Sequence, residues 1–122
     1  MGKDVLLIED EPNIIEAIRF ILSRDGWNVV THSDGNTALE KLEKTQPHVV
    51  ILDVMLPGRS GFDILRDIRS TDAMRGLPVL MLTAKGQARD REMAESLGAT
   101  KFMTKPFSNT DVLDAIRTMA DA

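Results

Sequence analysis

Three observations predict an α/β fold built on a parallel sheet. Five short apolar runs, each about the length of a strand, alternate along the chain with stretches of helical period. The third run, Val49–Leu52, is four consecutive apolar residues with no period, as in a strand buried on both faces. It is rich in β-branched residues and is closed by Pro57, Gly58 and Gly61, which favours a strand over a segment of buried helix.

The elements follow in order. Val5–Ile8 reads as the first strand, ended by Glu9, Asp10 and Glu11. Pro12 suits the first position of a helix whose stripe is Ile14, Ala17, Ile18, Ile21 and Leu22, and Gly26 stops it. Trp27–Thr31 reads as the second strand. Asp34 and Gly35 turn the chain into a shorter helix carrying Ala38, Leu39 and Leu42, finished before Gln46 and Pro47. The third strand, Val49–Asp53, leads through a glycine-containing loop to a helix with Phe62, Leu65 and Ile68 buried. Ser60 and Asp63 are spaced for a reciprocal capping box at its start.

Gly76 to Pro78 break the chain before a fourth strand, Val79–Leu82, which ends on Thr83. The helix from about Ala88 to Leu97 is the most polar, with only Met93, Ala94 and Leu97 as an apolar face, and is expected to be the least firmly held. Lys101–Thr104 forms a fifth strand, ended by Lys105 and Pro106, and a last helix from Ser108 buries Val112, Ile116 and Met119. Met81, Met93, Met103 and Met119 are expected to fill gaps in the core. Five strand–helix pairs with right-handed crossovers predict a (βα)5 sheet covered on both faces, in the flavodoxin-like order 2-1-3-4-5.

At 122 residues the chain reads as a single domain spanning 1–122. A net charge of -4 argues against direct binding to nucleic acid or to an anionic membrane surface. No apolar run approaches the ~20 residues of a membrane helix, and no secretory signal opens the chain, so a cytoplasmic protein is expected. Cysteine is absent, which excludes disulfides, thiolate nucleophiles and sulfur metal sites.

Ligands of open α/β sheets bind beyond the carboxyl ends of the strands, near the point where strand order reverses. That edge would gather Glu9, Asp10, Asp53, Thr83 and Lys105. Each alone reads more simply as a turn, a helix cap or a solvated surface group; at four strand ends together they read as a site. Three carboxylates against one ammonium call for a cation, and hard oxygen donors suit a Mg²⁺-like ion that keeps waters for phosphate oxygens. Cation, lysine and hydroxyl are what a phosphoryl group needs, and Asp53 is the candidate nucleophile for an aspartyl phosphate. His32 and His48 lie away from this edge and are assigned no role.

With LLIEDE at the first strand, VVILDVMLPGRSG around the third, VLMLTAKG at the fourth and KFMTKPF at the fifth, the chain resembles the receiver domains of two-component response regulators. The resemblance spans essentially the whole chain. It implies that Asp53 accepts phosphate from the phosphohistidine of a histidine kinase or phosphotransfer protein. It implies Mg²⁺ held directly by Asp10, Asp53 and the backbone carbonyl of Met55, with Glu9 acting mostly through water. Lys105 would grip the phosphoryl group, and the Lys105–Pro106 peptide would be cis. Thr83 and Phe102 would be the switch residues, coupling the pocket to the face made by the fourth helix, fifth strand and fifth helix. Phe102 departs from the Tyr frequent there. Met55 and Lys85 occupy the positions that tune the lifetime of the acyl phosphate.

Transcription-factor relatives often pair acids ahead of the fifth strand with an arginine in the last helix; Thr100, Lys101 and Ala115 stand there instead. A free-standing receiver acting on a downstream effector is therefore expected, with a C-terminal output domain in a longer protein as the alternative. Other classes fit less well. A hydrolase using an aspartyl phosphate needs a second acid two residues past the nucleophile, where Met55 stands, and a nucleotide or flavin site needs a glycine-rich loop after the first strand, where EDEPN stands. A docking module that has lost the chemistry would not need the complete set of acidic and basic pocket residues.

Overall fold

The computed structural model describes residues 3–83 and 88–121. Over these the chain forms β1 (Asp4–Ile8), α1 (Pro12–Arg24), β2 (Asn28–His32), α2 (Ala38–Thr45), β3 (Val49–Asp53), α3 (Gly61–Ser70), β4 (Val79–Thr83), α4 (Ala88–Ser96), β5 (Lys101–Thr104) and α5 (Asn109–Asp121). The strands make one sheet in the order β2-β1-β3-β4-β5, every pair parallel, which is the expected flavodoxin-like arrangement.

Alternation along the strands divides the core into two layers. Val5, Leu7, Val49, Ile51, Leu80 and Leu82 face α1 and α5, meeting Ile18, Leu22, Val112, Ile116 and Met119. Leu6, Ile8, Val50, Leu52, Val79 and Met81 face α2, α3 and α4, meeting Leu42, Ile64, Leu65, Ile68 and Ala94. Every residue of β3 and β4 is buried. Each leucine or isoleucine so covered contributes about 1.5–3 kcal/mol, so the central strands form a stiff platform for whatever stands at their ends.

Several local expectations are corrected. Trp27 is not the first residue of β2: its amide donates to the Leu22 carbonyl at 3.0 Å, closing α1, and its ring is buried in the core. A 3-10 turn at Gly35–Thr37 precedes α2. Ser60 caps α3 by accepting from the Phe62 amide at 3.1 Å, but Asp63 pairs with Arg66 at 3.0 Å instead of completing a reciprocal box. Leu65 and Ile68 are fully buried on α3 as expected, but Phe62 is only half-buried, because the inward stripe runs Gly61, Ile64, Leu65, Ile68 and so begins one residue earlier than Phe62. Met93 is 42% exposed and fills no gap, which leaves Ala94 as the one buried residue of α4 among those described. Arg69 of α3 braces the segment that follows α4. It donates to the carbonyls of Gly98 at 2.8 Å and Leu77 at 2.7 Å, so α4 is tied down at its carboxyl end.

Candidate functional site

The carboxyl edge of the sheet brings together the residues singled out from sequence. Asp53 is the last residue of β3, paired in register with Leu82, and the Val54 amide continues the ladder to the Leu82 carbonyl at 2.9 Å. Thr83 ends β4 in register with Thr104, and the Lys105 amide donates to the Thr83 carbonyl at 2.6 Å. Glu9, just past β1, is held by its amide on the His32 carbonyl at 2.9 Å. Parallel register thus sets the height of each group. A further constraint comes from α3: a Cβ on Gly61 would lie 2.1 Å from the Asp53 carbonyl oxygen, so only glycine lets the helix start this close to the strand end.

Glu9, Asp10 and Asp53 each place a carboxylate oxygen within 4.8 Å of the others. Glu9 and Asp53 are buried while Asp10 is exposed at the mouth, leaving a path for an ion. Lys105 Nζ lies 3.4 Å from Asp53 Oδ2, 3.0 Å from Glu9 Oε1 and 2.8 Å from Glu11 Oε1. The other oxygen of Glu9 accepts from the amides of Asp10 and Glu11, both at 3.1 Å. Asp53 Oδ1, by contrast, is buried and has no hydrogen-bond partner among the described residues. A buried, unpartnered carboxylate oxygen beside two further carboxylates fits a hard divalent cation.

The electrostatics follow from this crowding. Burial, and then the charge of Glu9, push the Asp53 carboxyl from an ordinary 3.8 up to about 7, against the opposing pull of Lys105 and the Met55 amide. Burial alone would lower the Lys105 ammonium. Its contacts with Glu11 and Glu9 and the charge of Asp53 prevail, holding it above the ordinary lysine range. Among the described residues, Lys105 is the one cation paired with the two buried carboxylates, Glu9 and Asp53.

Around this centre, the Thr83 hydroxyl is 3.5 Å from Asp90 Oδ2 of α4, and Thr83 is buried. Met55 is 70% exposed beside the pocket. The Lys105–Pro106 peptide is cis. Phe102 is half-buried against the layer under α4, with the Arg91 guanidinium 6.0 Å from its ring centre. Lys85 lies outside the described residues. His32 bonds Thr37 at 2.7 Å and His48 lies 4.0 Å from Asp4, so neither histidine joins the cluster. Sequence reasoning missed Glu11 as a member of the site. As the third acid of a run before a proline helix start it looks like a solvated loop residue, and its closeness to Lys105 appears only once β1 and β5 are placed in one sheet.

Residues 5–117 match the response regulator receiver domain. The chain is 42% identical over 115 residues to the probable transcriptional regulatory protein TcrX of Mycobacterium tuberculosis, an overlap covering 94% of this chain and 48% of that protein. It spans about half the length of the curated relatives it matches. Among solved structures, a putative response regulator from Chloroflexus aurantiacus superposes with a TM-score of 0.95 at 26% identity, with both chains wholly covered. The receiver domain of the sensor histidine kinase PA1611 from Pseudomonas aeruginosa, solved with a magnesium ion coordinated in its active site cleft, superposes at 0.90 with 27% identity and full coverage of both chains. Among the described residues no helix is long and apolar enough to cross a membrane. The chain belongs to the response regulator receiver domains, the signalling domains of two-component systems whose general role is that of a phosphorylation-activated switch.

Proposed function

We propose that this chain is a single receiver domain over residues 1–122 that takes a phosphoryl group onto Asp53 from a phosphohistidine of a histidine kinase or phosphotransfer protein. The observation that carries this reading is the convergence of three carboxylates within 4.8 Å beside the Lys105 ammonium. A carboxylate oxygen of Asp53 attacks phosphorus; the new P–O bond forms as the P–N bond breaks, and the electron pair of that bond stays on the imidazole. In the return step a water oxygen attacks phosphorus, the acyl-phosphate bond breaks and the Asp53 carboxylate is restored with release of inorganic phosphate.

Asp10, Asp53 and the Met55 carbonyl hold Mg²⁺ in this reading, with Glu9 contributing through water because one of its oxygens already serves two amides. The ion supplies charge neutralisation at the phosphoryl oxygens. Lys105 contacts the transferred group from the other side. Thr83 and Phe102 carry the change to the face formed by α4, β5 and α5, a two-state equilibrium biased by one added dianion. α4 suits such a role because it buries so little of itself. Exposed Met55, together with Lys85, regulates access of water to the acyl phosphate. The switched face controls a downstream effector or an output domain, in the cytoplasm and without direct contact to nucleic acid or membrane.

The test is incubation with a small phosphodonor and Mg²⁺, followed by intact mass. One phosphoryl group is expected on the wild-type chain and none on Asp53→Asn; undiminished incorporation in that variant refutes the assignment.

A further inference from the structure

Lys105 has three carboxylate neighbours, and they are not equivalent. Glu9 is buried and locked by the amides of Asp10 and Glu11. Asp53 is buried and stands at 3.4 Å. Glu11 is the nearest, at 2.8 Å, yet its side chain is 58% exposed. We propose that Glu11 is a positioning residue: a displaceable counterion that draws the Lys105 ammonium away from Asp53 until an incoming phosphoryl group takes its place.

The local geometry of Glu11 leaves it little other purpose. It stands at the N-cap of α1, where Ser, Thr, Asp or Asn usually turn a side chain back on the first amides, but its side chain makes no capping hydrogen bond. Its backbone is fully engaged, the amide on Glu9 and the carbonyl accepting from Ile15 at 3.0 Å. The carboxylate can therefore swing without disturbing the helix. Releasing it is cheap because water resolvates an exposed carboxylate, whereas releasing Glu9 would strand a buried charge. Lys105 can thus keep Glu9 and exchange Glu11 for a phosphoryl oxygen. The idea rests on Asp53 being the phosphoacceptor, and it gives Glu11 a role opposed to binding of the phosphoryl group.

The experiment measures beryllofluoride affinity in saturating Mg²⁺ for wild type, Glu11→Gln, Lys105→Met and the double variant, with Glu16→Gln as a charge-matched control on the exposed side of α1. Glu11→Gln is expected to bind about two- to five-fold more tightly, the size of an exposed ion pair. The gain should vanish when Lys105 is already gone, and Glu16→Gln should match wild type. An unchanged or weakened affinity in Glu11→Gln overturns the proposal, as does a gain that persists without Lys105, since that would be a general charge effect. A crystal structure of the wild-type beryllofluoride complex gives a check that needs no variant. Lys105 should have left Glu11, and a retained pair overturns the proposal. If the wild-type chain takes up no beryllofluoride, the reading of Asp53 fails first and the role of Glu11 falls with it.

Discussion

Lys105 Nζ stands 3.4 Å from Asp53 Oδ2, beyond the ordinary range of an N–H···O hydrogen bond, although both groups are shielded from solvent. The pair is close enough to share charge and too far apart to satisfy each other, which leaves the acid open to a better partner.

The first prediction concerns pH. Asp53 titrates at about 7 in the folded chain and near 3.8 when unfolded, so between those values the folded state binds the extra proton. Stability of the Mg²⁺-free protein should fall as pH rises through this window and level off above it. Asp53→Asn lacks that contribution. Thermal melts in chelator should therefore show the variant gaining on wild type from pH 4 to pH 7, the range set by those two values; parallel curves would contradict the assignment, and added Mg²⁺ should flatten the difference.

Asp10 is the exposed member of the acid trio and offers a charge to a hard cation. Asp10→Asn should weaken Mg²⁺ binding by roughly tenfold or more, a loss seen even for outer partners of metal sites. Calorimetric titration with Mg²⁺ measures it, and an unchanged isotherm would remove Asp10 from the site.

Lys105 offsets two buried carboxylates, so its loss should cost more than the loss of an exposed ion pair. Lys105→Met is expected to destabilise the Mg²⁺-free chain by up to about 3 kcal/mol, with Asp53 relieving part of the strain by taking a proton. Urea unfolding in chelator measures that deficit, and it should persist in Mg²⁺, because a cation bound with similar affinity stabilises both chains alike. Mg²⁺ affinity itself should be largely retained.

Gly61 and Gly76 make a matched pair. A Cβ on Gly61 meets the Asp53 carbonyl oxygen and the Val54 Cα, while one on Gly76 meets nothing within 4 Å. Gly61→Ala should destabilise the fold by about 1–3 kcal/mol and slow phosphoryl uptake, because the end of β3 must move. Gly76→Ala should leave both unchanged.

Much of this architecture could be read from the residues. β3 and β5 have the bounds expected of them because each apolar run meets an unmistakable stop, Asp53 in one case and Lys105 with Pro106 in the other. Trp27 was harder, since an aromatic beside a strand looks the same whether it pairs in the sheet or plugs the space beneath it. On α3, Leu65 and Ile68 are buried as their spacing suggests, but Phe62, the larger apolar group, stays half-buried because the inward stripe starts at Gly61 and passes through Ile64. The acid trio and the lysine were legible because strand ends in a parallel sheet must meet. Glu11 was not, because its contact depends on the reach of two side chains across a loop rather than on register.

β3 is hydrocarbon on both sides, with Val49, Val50, Ile51 and Leu52 all covered, so neither face tells the strand where to stop. Sliding it by one place would merely swap one oily layer for the other. The acid at its tip supplies the missing distinction. Drawn inward, Asp53 would lose its ammonium neighbour and lie bare among aliphatic side chains, an arrangement disfavoured by several kcal/mol. Asp53 is thus also the alignment mark of the central strand, and a copy of this chain that has seated its sheet correctly has, by the same act, set the acid trio and the lysine in place.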